Sequence, residues 1–176
     1  MYTVAQITPY DLDSGFFKRF DPSHFVMKKW YNVGGEWRVA IANEKYGWEP
    51  SGRRAALEHL KTKLYSGAYI IGARSKNGKT VGYGVLEAGF GGRRARYVNL
   101  SEMLVDSDWR GLGIGTQLFN RICEHARLRG AERLFVSVFP ATDTVSFFKS
   151  LGCTDAEETI PEFVRTNDDM LMEYVL

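Results

Sequence analysis

The chain has 176 residues, of which 44% are hydrophobic and 25% charged, as expected of one globular domain with a sizeable core. Its 23 basic and 21 acidic residues give a formal net charge of +2, which is too balanced to indicate a nucleic-acid partner. No apolar stretch reaches the ~18 residues that a membrane span needs, and residues 1–10 show no signal peptide, so we expect a cytoplasmic protein with no membrane partner.

In the first half of the chain, apolar and aromatic runs alternate with polar turns. They predict strands at 2–8, 25–31 and 36–42, a short helical or irregular segment at 10–20, and a helix at 51–64. Asn32-Val33-Gly34-Gly35 is typical of a hairpin turn, so we expect the second and third strands to pair.

The second half of the chain alternates strands with helices. Its patterns predict strands at 68–74, 80–87, 97–105, 133–138 and 171–175, and helices at 114–129 and 144–151. This order favours an α/β (α+β) fold with a mixed central sheet flanked by helices. We expect residues 1–176 to form a single domain.

The stretch "WRGLGIGTQL", residues 109–118, places three glycines at alternate positions where the second predicted helix begins. A helix start leaves backbone N–H groups without intrahelical partners and carries the positive end of the helix dipole. Glycine allows a positive φ and removes the Cβ that would hold a ligand away. The pattern therefore predicts a phosphate-binding loop, although tight packing of strand against helix would also explain the glycines.

Two common phosphate-binding motifs do not fit this loop. A dinucleotide fingerprint beginning at Gly111 and Gly113 would need a third glycine where Thr116 stands. A nucleotide P-loop would need Gly-Lys-Ser/Thr, which is absent. The pattern Arg/Gln-x-x-Gly-x-Gly/Ala is complete, with Arg110, Gly113 and Gly115.

With this motif the chain resembles the GNAT superfamily of acetyl-CoA-dependent N-acetyltransferases. The run "LSEMLVDSDWRGLGIGTQLFNRICEHARLRGAERLFVSV" is similar to the family's fourth strand, pyrophosphate loop, third helix and fifth strand, and "TVSFFKSLGC" is similar to the next helix. The resemblance implies a GNAT-like acyl-CoA N-acyltransferase fold, with residues 68–176 as the cofactor-binding core. Residues 1–67 would be a divergent acceptor-side region, in which the predicted hairpin at 25–42 is either an addition or a divergent part of the acceptor region.

The resemblance also implies where acetyl-CoA, the co-substrate, would bind. Backbone N–H groups of the loop would hold its pyrophosphate, and the preceding strand end would pair with the pantetheine arm. The N–H of Leu104 would stabilise the thioester oxygen. Lys149, and also Arg110, could neutralise phosphate charge, although Lys149 could equally lie on a solvated helix face. The cofactor-binding residues implied are Met103, Leu104, Val105, Arg110, Gly111, Leu112, Gly113, Ile114, Gly115, Thr116, Thr144, Phe148 and Lys149.

Amine attack needs a base, since a primary amine is mostly protonated at neutral pH. Glu102 is the only acidic residue between Val98 and Val105. The family's carboxylate most often aligns with Asn99 or Ser101, which have the opposite strand parity, so Glu102 would reach the site only through a β-bulge. It could instead face solvent or pair with a helix. Glu44 and Glu49 remain alternatives.

Two positions depart from the family. The tyrosine that often protonates the departing thiolate corresponds to Phe148, which has no proton to give. Tyr46, Tyr97 or water could replace it, or the thiolate could leave unassisted. A frequent asparagine before this helix corresponds to Ala141; Thr144 or Ser137 could substitute as hydrogen-bonding groups, while helix capping by Asp143 or Thr144 is simpler.

The acceptor is left open as a small-molecule or peptide amine. The aromatic residues of 25–50 could line its pocket, although burial in the core is the commoner role. Three scattered histidines predict no metal site. Cys123 and Cys153 are expected to be buried and without a catalytic role, so we predict direct transfer from the thioester to the amine. The alternatives are a catalytically silent acyl-CoA-binding module and, for assembly, a homodimer as is common among family members.

Overall fold

The computed structural model describes residues 1–176. In chain order its elements are β1 (Tyr2–Gln6), β2 (His24–Val33), β3 (Glu36–Tyr46), α1 (Gly52–Tyr65), β4 (Tyr69–Ser75), β5 (Thr80–Gly91), β6 (Tyr97–Val105), α2 (Ile114–Leu128), β7 (Arg133–Val138), α3 (Thr142–Ser150), β8 (Thr154–Asp155) and β9 (Met170–Val175). Short 3-10 turns lie at Pro9–Asp11, Ser107–Trp109 and Pro161–Phe163. No helix is long and apolar enough to cross a membrane.

Seven strands form one mixed sheet in the order β1-β4-β5-β6-β7-β9-β8, and β2 and β3 form a separate hairpin. Within the sheet only β6 and β7 run parallel. The mixed sheet flanked by helices confirms the predicted fold class. All the predicted strands and helices are present. The two-residue β8 was not predicted, because so short a strand leaves no periodic pattern.

The α3 boundary corrects the prediction that Asp143 or Thr144 caps this helix. The helix begins at Thr142, two residues before the predicted start, and its N-cap position is Ala141. Asp143 therefore lies in the first turn. Its carboxylate is 2.6 Å from His24 Nε2 at the start of β2.

Helices cover the two faces of the sheet with separate apolar clusters. On one face α2 buries Ile114, Leu118 and Ile122 against the sheet. On the other face α1 and residues 7–20 form a second cluster in which Phe17 and Phe20 pack against Tyr83 of β5. Between residues 7 and 20 this face carries only the 3-10 turn at Pro9–Asp11 and no α-helix, and aromatic side chains fill the space.

Strands β6 and β7 separate after a short paired region. Tyr97–Asn99 pairs with 133–135, and from there to the end of β6 at Val105 no residue pairs with β7. On its other edge β6 stays paired with β5 as far as Val105. The sheet therefore has a V-shaped opening between β6 and β7, which leaves a free strand edge where an extended ligand can add.

Candidate functional site

The segment between β6 and α2 exposes a run of unpartnered backbone donors. None of the N–H groups of 110–113 donates to a protein acceptor. The first three N–H groups of α2 have no intrahelical acceptor, and Gln117 N–H is the first to find one, the Gly113 carbonyl at 3.0 Å. These donors, together with the positive end of the α2 dipole, form a cradle suited to a phosphate group.

The three glycines of this loop have different reasons to be glycine. Gly111 and Gly113 have φ of +75° and +79°, and a Cβ at Gly111 would meet no protein atom within 4 Å. Their requirement is therefore one of backbone conformation. At Gly115 a Cβ would lie 2.9 Å from Phe147 Cζ, so this glycine allows α3 to approach α2. The packing interpretation therefore applies at Gly115, whereas Gly111 and Gly113 have the left-handed backbone conformation that a phosphate-binding loop would need.

The buried carboxylate of Asp106 holds the start of the loop in place. Asp106 is fully buried and accepts hydrogen bonds from the N–H of Asp21 at 2.9 Å and of Asp108 at 3.3 Å. Lys79 Nζ lies 2.9 Å from the same side chain. Asp21 in turn accepts from Ser107 N–H at 2.7 Å. Asp106 was missed from the sequence because nothing in its neighbourhood distinguishes a buried acid from a solvated one.

The Arg110 guanidinium binds protein carbonyls. It donates to the carbonyls of Val105 at 3.2 Å, Ser23 at 2.8 Å and Pro22 at 3.1 Å. The side chain therefore ties the loop to the end of β6 and to the segment that precedes β2. Its own backbone N–H remains free for a ligand.

The free edge of β6 presents Met103 and Val105. Asp106 N–H donates to Val81 on β5, and backbone groups alternate in direction along a strand. The N–H of Leu104 is therefore directed at β5, where Leu104 pairs with Tyr83, while those of Met103 and Val105 are directed at the opening. This corrects the expectation that the Leu104 N–H faces the ligand.

A β-bulge at Ser101 turns Glu102 to the α1 face of the sheet. Leu86 pairs with Leu100 and Val85 pairs with Glu102, which leaves Ser101 as the extra residue. Leu100 packs with the α2-side cluster and Leu104 with the α1-side cluster, as a change of parity requires. The bulge that the Glu102 hypothesis needed is present.

Glu102 lies at the centre of a three-residue polar cluster. Its Oε1 is 2.6 Å from His59 Nε2 of α1, and its Oε2 accepts a hydrogen bond of 3.1 Å from the Tyr83 hydroxyl. Burial and the neighbouring Glu102 carboxylate raise the pKa of Tyr83 well above its usual range. Tyr83 therefore remains a donor at all ordinary pH values. Neither His59 nor Tyr83 was predicted, since no local pattern links residues 59, 83 and 102.

Two positions around α3 where the resemblance implied polar groups carry apolar side chains, Ala141 and Phe148. Phe148 is 6% exposed and packs edge-on against Phe119 and Phe147. Ala141 is fully buried and forms an isolated bridge with Lys29 of β2. Thr144 is half-buried at the start of α3. The exposed Lys149 places its Nζ 5.9 Å from the Trp30 ring centroid.

The hairpin brings a second polar cluster to the end of β7. Lys29 Nζ donates to Tyr46 OH at 2.9 Å and to Glu44 Oε2 at 3.3 Å, and Tyr46 donates to Glu44. These bonds raise the pKa of Lys29 and lower that of Glu44. Phe139, which directly follows β7, packs edge-on against Tyr46 at 4.7 Å and lies 5.4 Å from Lys29 Nζ.

Three further polar residues lie on β6 and β7 within two residues of the short region where these strands pair. Asn99, 7% exposed, has an Oδ1 with no partner. Ser137 donates to the buried Asp169 at 2.8 Å. The Tyr97 hydroxyl is buried and donates to Glu173 at 2.6 Å, and burial raises its pKa to about 12. Tyr97 and Ser137 are therefore occupied within the protein, whereas Asn99 has an acceptor to offer.

No group of three or more His, Cys, Asp or Glu side chains in the structure could hold a metal ion. The observed features are a run of unpartnered backbone N–H groups, an open strand edge beside it, and polar clusters around Glu102 and Lys29.

The chain belongs to the acetyltransferase (GNAT) family, whose model matches residues 36–153. It is 25% identical over 167 residues to an uncharacterized N-acetyltransferase of Methanocaldococcus jannaschii, an alignment that covers 89% of this chain and 62% of that protein. The chain thus spans about three fifths of this relative's length.

Solved structures share the fold at low sequence identity. A nourseothricin acetyltransferase is 16% identical with a TM-score of 0.71, covering 99% of this chain and 98% of that one. A Bacillus anthracis protein assigned as a streptothricin acetyltransferase, solved in complex with acetyl coenzyme A, is 15% identical with a TM-score of 0.69, covering 100% and 99%. The ribosomal-protein-S18-alanine N-acetyltransferase of Escherichia coli is 13% identical with a TM-score of 0.60, covering 99% and 94%.

Proposed function

We propose that this chain transfers an acetyl group from acetyl-CoA directly to an amine. The observation that carries the proposal is the run of unpartnered N–H groups over 110–113 at the start of α2, beside the free edge of β6. A diphosphate with an extended arm matches both features, because the cradle supplies amides for the anion and the edge supplies amides for the arm. The complex of a structural neighbour with acetyl coenzyme A supports the same assignment.

The loop amides and the α2 dipole would hold the pyrophosphate. Met103 and Val105 would pair with the pantetheine arm, and Met103 N–H takes over the thioester-oxygen role first expected of Leu104. Thr144 and Lys149 stay in the proposal as groups at the outer end of the site, and Phe148 as an apolar wall. Acetyl-CoA itself supplies an activated thioester.

In this proposal the acceptor amine binds on the α1 face of the sheet. The polar cluster of Glu102, His59 and Tyr83 supplies the base in this proposal, because the bulge places Glu102 on the α1 face of the sheet, in contact with His59. Glu44 is paired with Lys29 and Tyr46, which favours a role in shaping the acceptor pocket. With Phe148 in place of an acid and the Tyr97 hydroxyl committed to Glu173, the thiolate leaves without protonation by these residues, which its modest basicity allows.

A second function, a catalytically silent acyl-CoA-binding module, is favoured by Phe148 and Ala141. Both functions predict stabilisation of the protein by acetyl-CoA, by about 2.7 kcal/mol at a hundredfold excess over Kd. Thermal unfolding with acetyl-CoA, NADH and ATP tests this point. Protection by NADH or ATP and none by acetyl-CoA would contradict both functions.

Release of free coenzyme A thiol in the presence of an amine panel separates the two functions. The panel should include amino acids, polyamines, aminoglycosides, streptothricins and peptides with free N-termini. Protein thiols will not interfere, because Cys123 and Cys153 are 3% and 4% exposed and burial raises the pKa of each to about 12. Thiol release that depends on both substrates supports the enzyme, and binding without release across the panel supports the module.

A further inference from the structure

We propose that His59 is the group that takes the proton from the acceptor amine and that Glu102 is its positioning residue. This inference rests on the proposed acetyl transfer and names the residues that perform one step of it. It starts from the 2.6 Å contact between His59 Nε2 and Glu102 Oε1.

The contact fixes the tautomer of the imidazole. A carboxylate oxygen and an unprotonated ring nitrogen would both be acceptors, so a separation of 2.6 Å requires a proton between them. In the neutral imidazole that proton is on Nε2. The basic lone pair is then on Nδ1, for which the structure contains no hydrogen-bond partner.

Both oxygens of Glu102 already accept hydrogen bonds. His59 holds Oε1, and Tyr83, which is 1% exposed and stays protonated, holds Oε2. Protonating the carboxylate would weaken these bonds, whereas protonating His59 at Nδ1 keeps them and strengthens the one between the two residues. The hydrogen bonds that Glu102 accepts from Tyr83 and His59 therefore favour protonation of the imidazole over protonation of the carboxylate.

Exposure agrees with this division of roles. The His59 side chain is 50% exposed and that of Glu102 is 24% exposed, so the ring is the more accessible of the two to an amine or to a bridging water. Nδ1 takes one proton from the acceptor ammonium, directly or through one water, and the neutral amine then attacks the thioester carbon as the carbon–sulfur bond breaks. The second proton leaves the acylated nitrogen for the departing thiolate or for solvent, which completes the amide. Histidine is suited to this step because its charge changes between pH 5 and 8.

The charged residues near His59 are paired with one another. Glu102 and Tyr83 are the groups that reach it or its partner from the sheet. Along α1, Lys63 lies 2.7 Å from Glu87 of β5, and Lys61 lies 2.9 Å from Glu58. The Glu102 carboxylate is thus the charge that contacts the ring.

The test is the pH dependence of kcat/KM for the best amine of the panel, in the wild type and in His59→Gln, Glu102→Gln and His125→Gln. In the wild type kcat/KM should rise with pH to a plateau, with one inflection where the base loses its proton. His59→Gln should lower kcat/KM at least about a hundredfold and abolish this inflection. Glu102→Gln should lose activity but keep an inflection, and imidazole in the buffer should partly rescue His59→Ala.

His125 provides the matched control. It lies on α2, stacked on Tyr69 with ring centroids 3.7 Å apart, and its replacement should leave the inflection in place. The inference is overturned if His59→Gln keeps the inflection and Glu102→Gln removes it, because Glu102 would then be the base.

Nitrogen NMR of the free protein gives a readout that needs no turnover. His59 should appear as the Nε2–H tautomer in the wild type and lose that preference in Glu102→Leu, which leaves Nε2–H without an acceptor. An Nδ1–H tautomer in the wild type would overturn the inference even if acetyl transfer is found. Failure of acetyl-CoA to bind the wild type would overturn the proposed function instead.

Discussion

The two sides of the opening between β6 and β7 are built in different ways. The cofactor side, residues 103–116, uses backbone groups that follow one another in sequence, and its geometry depends on glycine conformations. The acceptor side uses side chains: His59 from α1, Tyr83 from β5 and Glu102 from β6 meet in one cluster, and the hairpin adds another. A contiguous backbone site can be predicted from sequence spacing, whereas a site assembled from separate elements cannot.

The largest effect is expected from a variant that disrupts the cofactor side alone. Gly113→Trp places a side chain in the cradle at a residue with φ of +79°, so we expect acetyl-CoA affinity to fall more than roughly a hundredfold, about 2.7 kcal/mol. Calorimetric titration measures the loss.

Gly78→Trp is the matched control for this variant. Gly78 has φ of +73° in the β4–β5 turn, and a Cβ there meets no atom within 4 Å, so the backbone strain is similar. Comparable destabilisation of both variants, with affinity lost only in Gly113→Trp, would assign the loss to the cradle. Equal affinities would show that the ligand binds elsewhere.

This contrast also explains which predictions from the sequence succeeded. The strands 97–105 and 133–138 and the loop between them were predicted because apolar periodicity and glycine spacing are local signals. The direction of the Leu104 N–H was not predicted, because it depends on the bulge at Ser101, which inserts one extra residue between the paired residues Leu100 and Glu102. The partner of Glu102 was missed because it lies 43 residues away.

The second prediction asks whether the cofactor side depends on a buried side chain after all. Asp106→Asn removes the negative charge that Lys79 and two backbone N–H groups share. We expect a loss of about 2 kcal/mol in the free energy of unfolding, and weaker acetyl-CoA binding as the loop loses its support. Denaturant unfolding measures the first and titration the second.

Asp108→Asn serves as the control. Asp108 lies in the same 3-10 turn region, two residues from Asp106, but its side chain is exposed. It should be close to neutral in both measurements. If Asp106→Asn is equally neutral, the cradle is held by its backbone alone.

The third prediction concerns the acceptor side. Tyr46→Phe removes the hydroxyl that joins Lys29 to Glu44, so we expect KM for the amine to rise about three- to tenfold, the equivalent of roughly 1 kcal/mol. The Kd for acetyl-CoA should not change. Tyr31→Phe is the matched control, because its ring lies 5.5 Å from the same ammonium and its hydroxyl makes no hydrogen bond in the structure. A change in acetyl-CoA affinity would mean that the two sides are coupled.

The smallest effect separates the two reasons for glycine within one loop. A Cβ at Gly115 would lie 2.9 Å from Phe147 Cζ, and Phe147 is half-buried and can yield. Gly115→Ala should therefore cost about 1 kcal/mol of stability through overpacking, with acetyl-CoA affinity changed less than about threefold because the α2 N–H groups stay in place. In the double variant with Phe147→Leu, the shorter side chain should restore part of the lost stability. A large loss of affinity in Gly115→Ala that this second change does not relieve would mean that the ligand, and not α3, occupies the space beside Gly115.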